Sequence, residues 1–139
     1  MSQENVEVVL QLVRSFNNGD IEAAMDGLDP AIEWRGPEGV PEPGPYFGKD
    51  AVKDWMQGFL DAWETWRADP REIIDRAESV VVEFRQSGRA KGSGIEVSDH
   101  DFHLFTLRDG KITRWFIYGD RATALEAVGL SEQDAHADS

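Results

Sequence analysis

The spacing of apolar residues predicts two helices at the start of the chain. Between residues 6 and 16 the apolar side chains recur at intervals of three and four, which is the period of an amphipathic helix. Residues 17–19, Asn-Asn-Gly, tolerate the left-handed conformation that ends helices. Asp20 is suited to cap a second helix over residues 21–28, and Pro30 is expected to end it.

The next segment predicts a strand, a stiff loop and a long helix. Residues 31–35 have the length and composition of a short strand, and four prolines between residues 37 and 45 predict an extended loop. From residue 49 to 67 the apolar positions return to helical spacing. They form one broad stripe, made of Val52, Trp55, Met56, Phe59, Leu60, Trp63 and Trp66.

After Pro70 the pattern changes to strands. Residues 80–85 alternate with a period of two, and residues 88–94, which are rich in glycine, predict a turn. Residues 102–107 and 112–118 are apolar at both parities, so both faces of these strands should be covered. The Asp109-Gly110 pair between them predicts a hairpin.

The order of these elements predicts an α+β fold in which N-terminal helices pack on a curved, mostly antiparallel sheet. A terminal helix is expected over residues 121–128, and the polar, acidic residues 131–139 are expected to be a disordered tail. We therefore expect one domain over residues 1–130. Few residues remain to cover the second face of the sheet, so we predict a homodimer in which a second copy of the sheet covers it.

Composition narrows the classes of function. The chain has 14 Lys and Arg against 27 Asp and Glu, a net charge of −13, which makes nucleic acid and anionic membranes poor partners. It has no cysteine, so disulfides, thiolate metal sites and cysteine nucleophiles are excluded. No apolar run is long enough to span a bilayer or to resemble a secretory signal, and we expect a cytoplasmic protein.

Four segments resemble one family. Residues 17–24 (NNGDIEAA) before the strand at 31–36 (AIEWRG), residues 46–52 (YFGKDAV) and residues 103–115 (HLFTLRDGKITRW) resemble the SnoaL-like branch of the nuclear-transport-factor-2-like superfamily, which includes ketosteroid isomerase. The resemblance spans roughly residues 3–130. It implies a cone-shaped α+β barrel with a deep apolar pocket between helices and sheet.

At the aligned positions, this chain lacks most of the catalytic residues known in the superfamily. The aspartate base of ketosteroid isomerases aligns with Arg35, and their oxyanion tyrosine and aspartate align with Phe16 and His103. The last-strand acid of limonene epoxide hydrolases and SnoaL cyclases aligns with Ile117. Of these only His103 matches, since a histidine recurs here in SnoaL-like cyclases. An error of one residue in this alignment would move a side chain to the opposite face of the strand. Tyr118 and Asp120 therefore remain candidates as well.

Four residues are candidates for catalysis. His103 titrates near neutrality and could serve as a general acid or base, and strand parity places Asp101 on the same face. Arg35 could bind a carboxylate or an enolate oxygen, with Glu33 on the same strand face as its partner or as a base. The alternatives are a buried, hydrogen-bonded histidine and a structural ion pair.

Aromatic and late-strand residues are candidates for ligand binding. Core packing is the alternative for the aromatic ones. These candidates are Phe16, Trp55, Phe59, Trp63, Trp115, Ile117, Tyr118 and Asp120. We expect no metal site, because His100 and His103 would project to opposite faces of a strand. The loop at 36–47 is a candidate cover for the pocket mouth.

These observations leave three hypotheses. In the first, the protein is a cofactor-independent isomerase, lyase or cyclase that acts on a small apolar cyclic molecule, with His103 as acid–base. In the second, it is a non-catalytic carrier or sensor of such a molecule. In the third, it is a dimer that serves protein interaction.

Overall fold

A computed structural model describes residues 2–130 of the chain. The elements in chain order are α1 (Ser2–Asn17), α2 (Ile21–Met25), β1 (Leu28–Arg35), β2 (Tyr46–Phe47), α3 (Lys49–Asp61), β3 (Trp63–Arg76), β4 (Ser79–Ala90), β5 (Glu96–Arg108), β6 (Lys111–Tyr118) and α4 (Arg121–Ala127). The expected tail, residues 131–139, lies outside the described residues.

The six strands form one curved, unclosed sheet in the order β2-β1-β6-β5-β4-β3. Neighbouring strands are antiparallel except β1 and β6, which pair in parallel. Asp109 and Gly110 join β5 to β6 with φ angles of 52° and 77°, which only glycine and a few polar residues adopt readily. The α+β fold class is confirmed, and the sheet is open rather than a closed barrel.

The core lies between the inner, concave face of the sheet and helices α1 and α3. Each strand sends alternate side chains to this face, as a period of two requires. Val80, Val82 and Phe84 of β4 lie there beside Phe105 of β5, all nearly inaccessible to solvent. Asn17, at the end of α1, ties the helix to β3 by two hydrogen bonds of 2.9 Å to the backbone of Ala68.

The predicted third helix is too long. α3 ends at Asp61, and Trp63 and Trp66 lie on β3 rather than on the helix. Here β3 pairs with the end of β4, where Gly88 lies opposite Trp66. A Cβ at Gly88 would come within 2.5 Å of the Trp66 ring, so the glycine provides the space for this pairing. Strand pairing with β4 therefore overrides the helical spacing of these tryptophans.

Other boundaries also differ from the prediction. Pro30 does not end α2, which stops at Met25; it lies within β1, which is longer than predicted. Pro70 lies inside β3 at a register shift, and β4 continues through Gly88, so the connection from β4 to β5 covers only residues 91–95. Residues that local patterns assign to turns thus lie inside long strands, because these strands pair along their whole length.

The outer face of the sheet is partly covered by α4. Leu104 and Val81 of the sheet pack with Ala124 of α4, while Phe102 and Phe116 are half-buried beside them. Asp120 caps α4 by accepting hydrogen bonds from the backbone and the hydroxyl of Thr123, and these bonds lower the pKa of its carboxyl group. Helix α4 of the same chain thus covers part of the sheet face that we predicted a second copy would cover.

Candidate functional site

A cavity of about 390 Å³ lies between the inner face of the sheet and helices α1 and α3. The loop between β1 and β2 contributes Pro37, Val40, Pro41 and Glu42 to its lining. Most of the remaining lining is apolar. These apolar side chains are Leu12, Val13, Phe16, Trp34, Trp55, Phe59, Trp66, Ala68, Phe84, Phe105, Trp115 and Ile117.

Aromatic rings form much of the wall and pack on one another. Trp55 lies between Trp34, at a centroid distance of 4.0 Å, and Trp115, which meets it edge-on at 5.7 Å. Phe59 meets Trp66 edge-on at 4.8 Å. Offset and edge-to-face contacts of this kind hold rings in fixed orientations, so the aromatic wall is a rigid surface.

One polar cluster interrupts the apolar lining on strands β4, β5 and β6. His103 Nε2 lies 3.0 Å from Asp101 Oδ1, and Gln86 donates to the same oxygen from Nε2 at 2.8 Å. On the other side of the imidazole, Trp115 Nε1 donates to His103 Nδ1 at 2.9 Å. We call Gln86, Asp101, His103 and Trp115 the polar cluster.

The partners of His103 define its protonation state. An indole N–H can only donate, so Nδ1 must accept with its lone pair. The ring proton is therefore on Nε2, which donates to the Asp101 carboxylate. His103 is a neutral imidazole whose two nitrogens are both bonded within the protein. Within residues 2–130 no donor is bonded to the second carboxylate oxygen, Asp101 Oδ2.

The charged side chains that line the cavity are all acids. Besides Asp101 they are Asp99, which precedes it on β5, and Glu42 of the loop. Among the described residues, neither lysine nor arginine contributes to this lining. The cavity therefore has a negative electrostatic character.

The structure separates the four candidates for catalysis. His103 and Asp101 lie together in the cavity. Arg35 and Glu33 lie on the outer face of β1, where the Arg35 side chain is 53% exposed and pairs with Glu33 at 2.6 Å. The Arg35 guanidinium lies 5.1 Å from the Phe116 ring centroid. Parity along β1 directs Trp34 rather than its neighbours into the cavity, so Arg35 cannot reach a ligand there.

The ligand-binding candidates also divide into residues that line the cavity and residues that do not. Phe16, Trp55, Phe59, Trp115 and Ile117 line the cavity. Trp63 does not line it and packs against Phe59 and Trp66.

Tyr118 and Asp120 border a separate surface depression with Arg35 on the outer face. There, burial raises the pKa of the Tyr118 hydroxyl, while the nearby Arg35 charge opposes this shift.

Sequence reasoning missed several residues of the site. Gln86 shares the parity of Val82 and Phe84, and a polar side chain on an apolar strand face could have been recognised as a site residue. Trp34 follows the buried Ile32 at the same parity. Its indole Nε1 is sealed from solvent without a hydrogen-bond partner among the described residues, so that N–H is not offered to the cavity.

Within residues 2–130, no group of three or more His, Asp or Glu side chains is placed to hold a metal ion. In the same range, no helix is long and apolar enough to cross a membrane.

A family model and several solved structures match the chain. The family model of the SnoaL-like domain matches residues 9–115. TerC, crystallised with polyporic acid, is 28% identical, with a TM-score of 0.76 over 90% of this chain and 97% of TerC. An NTF2-like protein from Burkholderia xenovorans LB400 is 25% identical, with a TM-score of 0.74 over 93% of this chain and 98% of its own.

A third structure shares the fold at lower identity. It is a ketosteroid-isomerase-like protein from Catenulispora acidiphila DSM 44928 in complex with trimethylamine. It is 15% identical, with a TM-score of 0.73 over 89% of this chain and 93% of its own. No curated protein sequence matches the chain.

Proposed function

Because the chain belongs to the SnoaL-like domain family, we propose that it binds a small cyclic molecule in its cavity and transfers a proton on that molecule without a cofactor. The observation that carries this proposal is the polar cluster, which holds the Asp101 carboxylate in a mostly apolar, aromatic cavity. Sites that bind small molecules combine an apolar lining with a few convergent polar groups in this way.

The shape of the cavity supports a flat ligand. Its volume of about 390 Å³ falls in the range of small-molecule pockets, roughly 300–1,000 Å³. Trp34, Trp55 and Trp115 present rigid ring surfaces on which a planar ring can stack. The similar protein TerC was crystallised with a small molecule, polyporic acid.

The geometry favours Asp101 as the proton acceptor and His103 as its positioning residue. The sequence assigned the acid–base role to His103, but both of its ring nitrogens are bonded within the protein. Asp101 Oδ1 is held by two donors, and Oδ2 is left for the ligand. In this proposal, Asp101 removes a proton from one atom of the ligand and returns it to another, as an isomerase, lyase or cyclase requires.

A ligand screen followed by two variants tests this function. A ligand at 100 times its dissociation constant stabilises the protein by about 2.7 kcal/mol, which a thermal-shift screen of cyclic ketones, aromatic polyketides and cyclic amines detects. For a compound that is turned over, Asp101→Asn should lower kcat by about 10²–10⁴-fold. His103→Gln should alter the pH profile of kcat. Full activity of Asp101→Asn would contradict the proposal.

A non-catalytic carrier or sensor is the second candidate function. It is favoured by the absence of lysine and arginine from the described lining, because an enolate oxygen would find no positive charge there. A carrier binds its ligand with the same dependence on cavity residues but does not change it. Chemical analysis of the ligand after prolonged incubation separates the two functions.

We also propose that the protein is a homodimer formed through the outer face of the sheet. Phe102, Phe116 and Tyr118 are only half-buried there, and α4 covers one part of this face. A second copy would cover the rest in a symmetric contact. Light scattering at micromolar concentration should give twice the mass of the chain, and a monomer at that concentration would refute the dimer.

A further inference from the structure

The charge of the cavity selects among cyclic ligands. Its described lining carries Glu42, Asp99 and Asp101 and no basic side chain, while the hydrogen bonds of His103 keep that imidazole neutral. Charges interact more strongly in a partly dehydrated cavity than in water. An anionic ligand would therefore be repelled, and a positively charged ligand would be attracted.

The aromatic wall of the cavity also favours a positively charged ligand, independently of the acidic side chains. Indole and phenyl rings attract cations over their faces, and tryptophan does so most strongly. Trp34, Trp55, Trp66 and Trp115 all line this cavity. A neutral ring could stack on them as well, but only a cation gains from the rings and from the carboxylates together.

The balance of charge in the proposed proton transfer also favours a positively charged ligand. If Asp101 deprotonates a neutral ligand, it leaves an anion among acidic groups. If it deprotonates the carbon next to the carbon of an iminium group (C=N⁺), the C–H electron pair forms a C=C bond between these two carbons. The C=N π pair moves to nitrogen, and the proton ends on Asp101 Oδ2. The product is a neutral enamine, which needs no oxyanion hole.

We propose that the cavity selects cyclic or aromatic ligands that carry a positively charged nitrogen, with the Asp101 carboxylate as the counter-ion. This inference rests on the proposed function, because it assigns the ligand class of the same cavity. It differs from that function in making the ligand's charge the basis of selection.

Three probes of one shape and different charge test the inference. Phenyltrimethylammonium, tert-butylbenzene and benzenesulfonate share a phenyl ring and a tetrahedral head group that is positive, neutral or negative. Four of the five tryptophans line the cavity, so quenching of tryptophan fluorescence reports binding. We expect the cation to bind about tenfold or more tightly than the neutral probe, and the sulfonate to bind most weakly.

Asp101→Asn should remove most of the preference for the cation over tert-butylbenzene and leave the affinity for tert-butylbenzene unchanged. Asp54→Asn, which makes the same charge change on the exposed surface of α3, is the matched control and should leave the preference intact. If Asp101→Asn fails to fold, Asp99→Asn and the salt dependence of the wild-type affinity replace it, because salt screens only the charged probe.

The outcomes separate this inference from the proposed function. Equal affinities, or tighter binding of the neutral or anionic probe, would overturn the selection for a cation and leave the aromatic cavity as a binding site. Binding of none of the three probes would contradict the proposed function, and the inference would fail with it.

Discussion

Replacement of Trp115 by phenylalanine should destabilise the protein and leave Nδ1 of His103 without its hydrogen bond. Trp115 and His103 are 5% and 6% exposed, and the indole N–H donates to Nδ1 at 2.9 Å. Trp115→Phe leaves that acceptor buried without a donor, which costs about 1–3 kcal/mol. Loss of the pyrrole part of the ring from the core adds about 1–2 kcal/mol. The expected total is about 2–5 kcal/mol of the free energy of unfolding.

Urea denaturation measures this loss, with the slope m expected to stay constant. Trp55→Phe is the control, because it removes the same part of a ring from the same cavity wall without touching His103. The two variants should differ by about 1–3 kcal/mol, the cost of the unpaired nitrogen. In a His103→Leu background the difference should shrink, because both partners are then absent.

Nitrogen chemical shifts of the imidazole provide the second readout. In wild type and in Trp115→Phe, Nε2 should be protonated, because it donates to Asp101. The chemical shift of the unprotonated Nδ1 should change in Trp115→Phe, because that nitrogen loses its donor. Equal destabilisation by Trp115→Phe and Trp55→Phe, with an unchanged chemical shift of Nδ1 of His103, would refute the assignment of the polar cluster.

Three other predictions follow from packing, hydrogen bonding and burial. Gly88→Ala should cost about 1–3 kcal/mol, because its Cβ would lie 2.5 Å from the Trp66 ring. Gly58→Ala, in the middle of α3 with open space around it, should instead stabilise by about 0.5–1 kcal/mol; denaturant melts of both measure this contrast. Asn17→Ala should cost about 1–3 kcal/mol in the same assay, because two hydrogen bonds to the β3 backbone are lost. Burial raises the pKa of Tyr118, so its contribution to stability is complete below pH about 10 and is lost as the pH rises through the folded pKa. Stability measured across this range should fall less in Tyr118→Phe than in wild type.

The sequence predicted the parts of the fold that local physics governs. The stop at Gly19, the cap at Asp20 and the hairpin at Asp109-Gly110 depend on neighbouring residues only, and all three are confirmed. The end of α3 depends on a partner far along the chain. Trp63 and Trp66 fit a helical stripe, but their pairing with β4 opposite Gly88 decides their conformation.

Parity along a strand predicted part of the candidate site. Alternation correctly grouped His103 with Asp101, and Arg35 with Glu33, but it could not say which group faces the helices. That choice depends on the tertiary packing of the sheet. The bond from Trp115 to His103 crosses between two strands, so the neutral tautomer could not be read from the sequence.

The central claim is that the cavity is the ligand site, and the five indole N–H signals of the protein test it directly. During a titration with phenyltrimethylammonium, saturable shifts should be largest for Trp34, Trp55, Trp66 and Trp115, and smallest for Trp63, which lies outside the lining. Shifts confined to Trp63, or five signals that do not move, would contradict the claim.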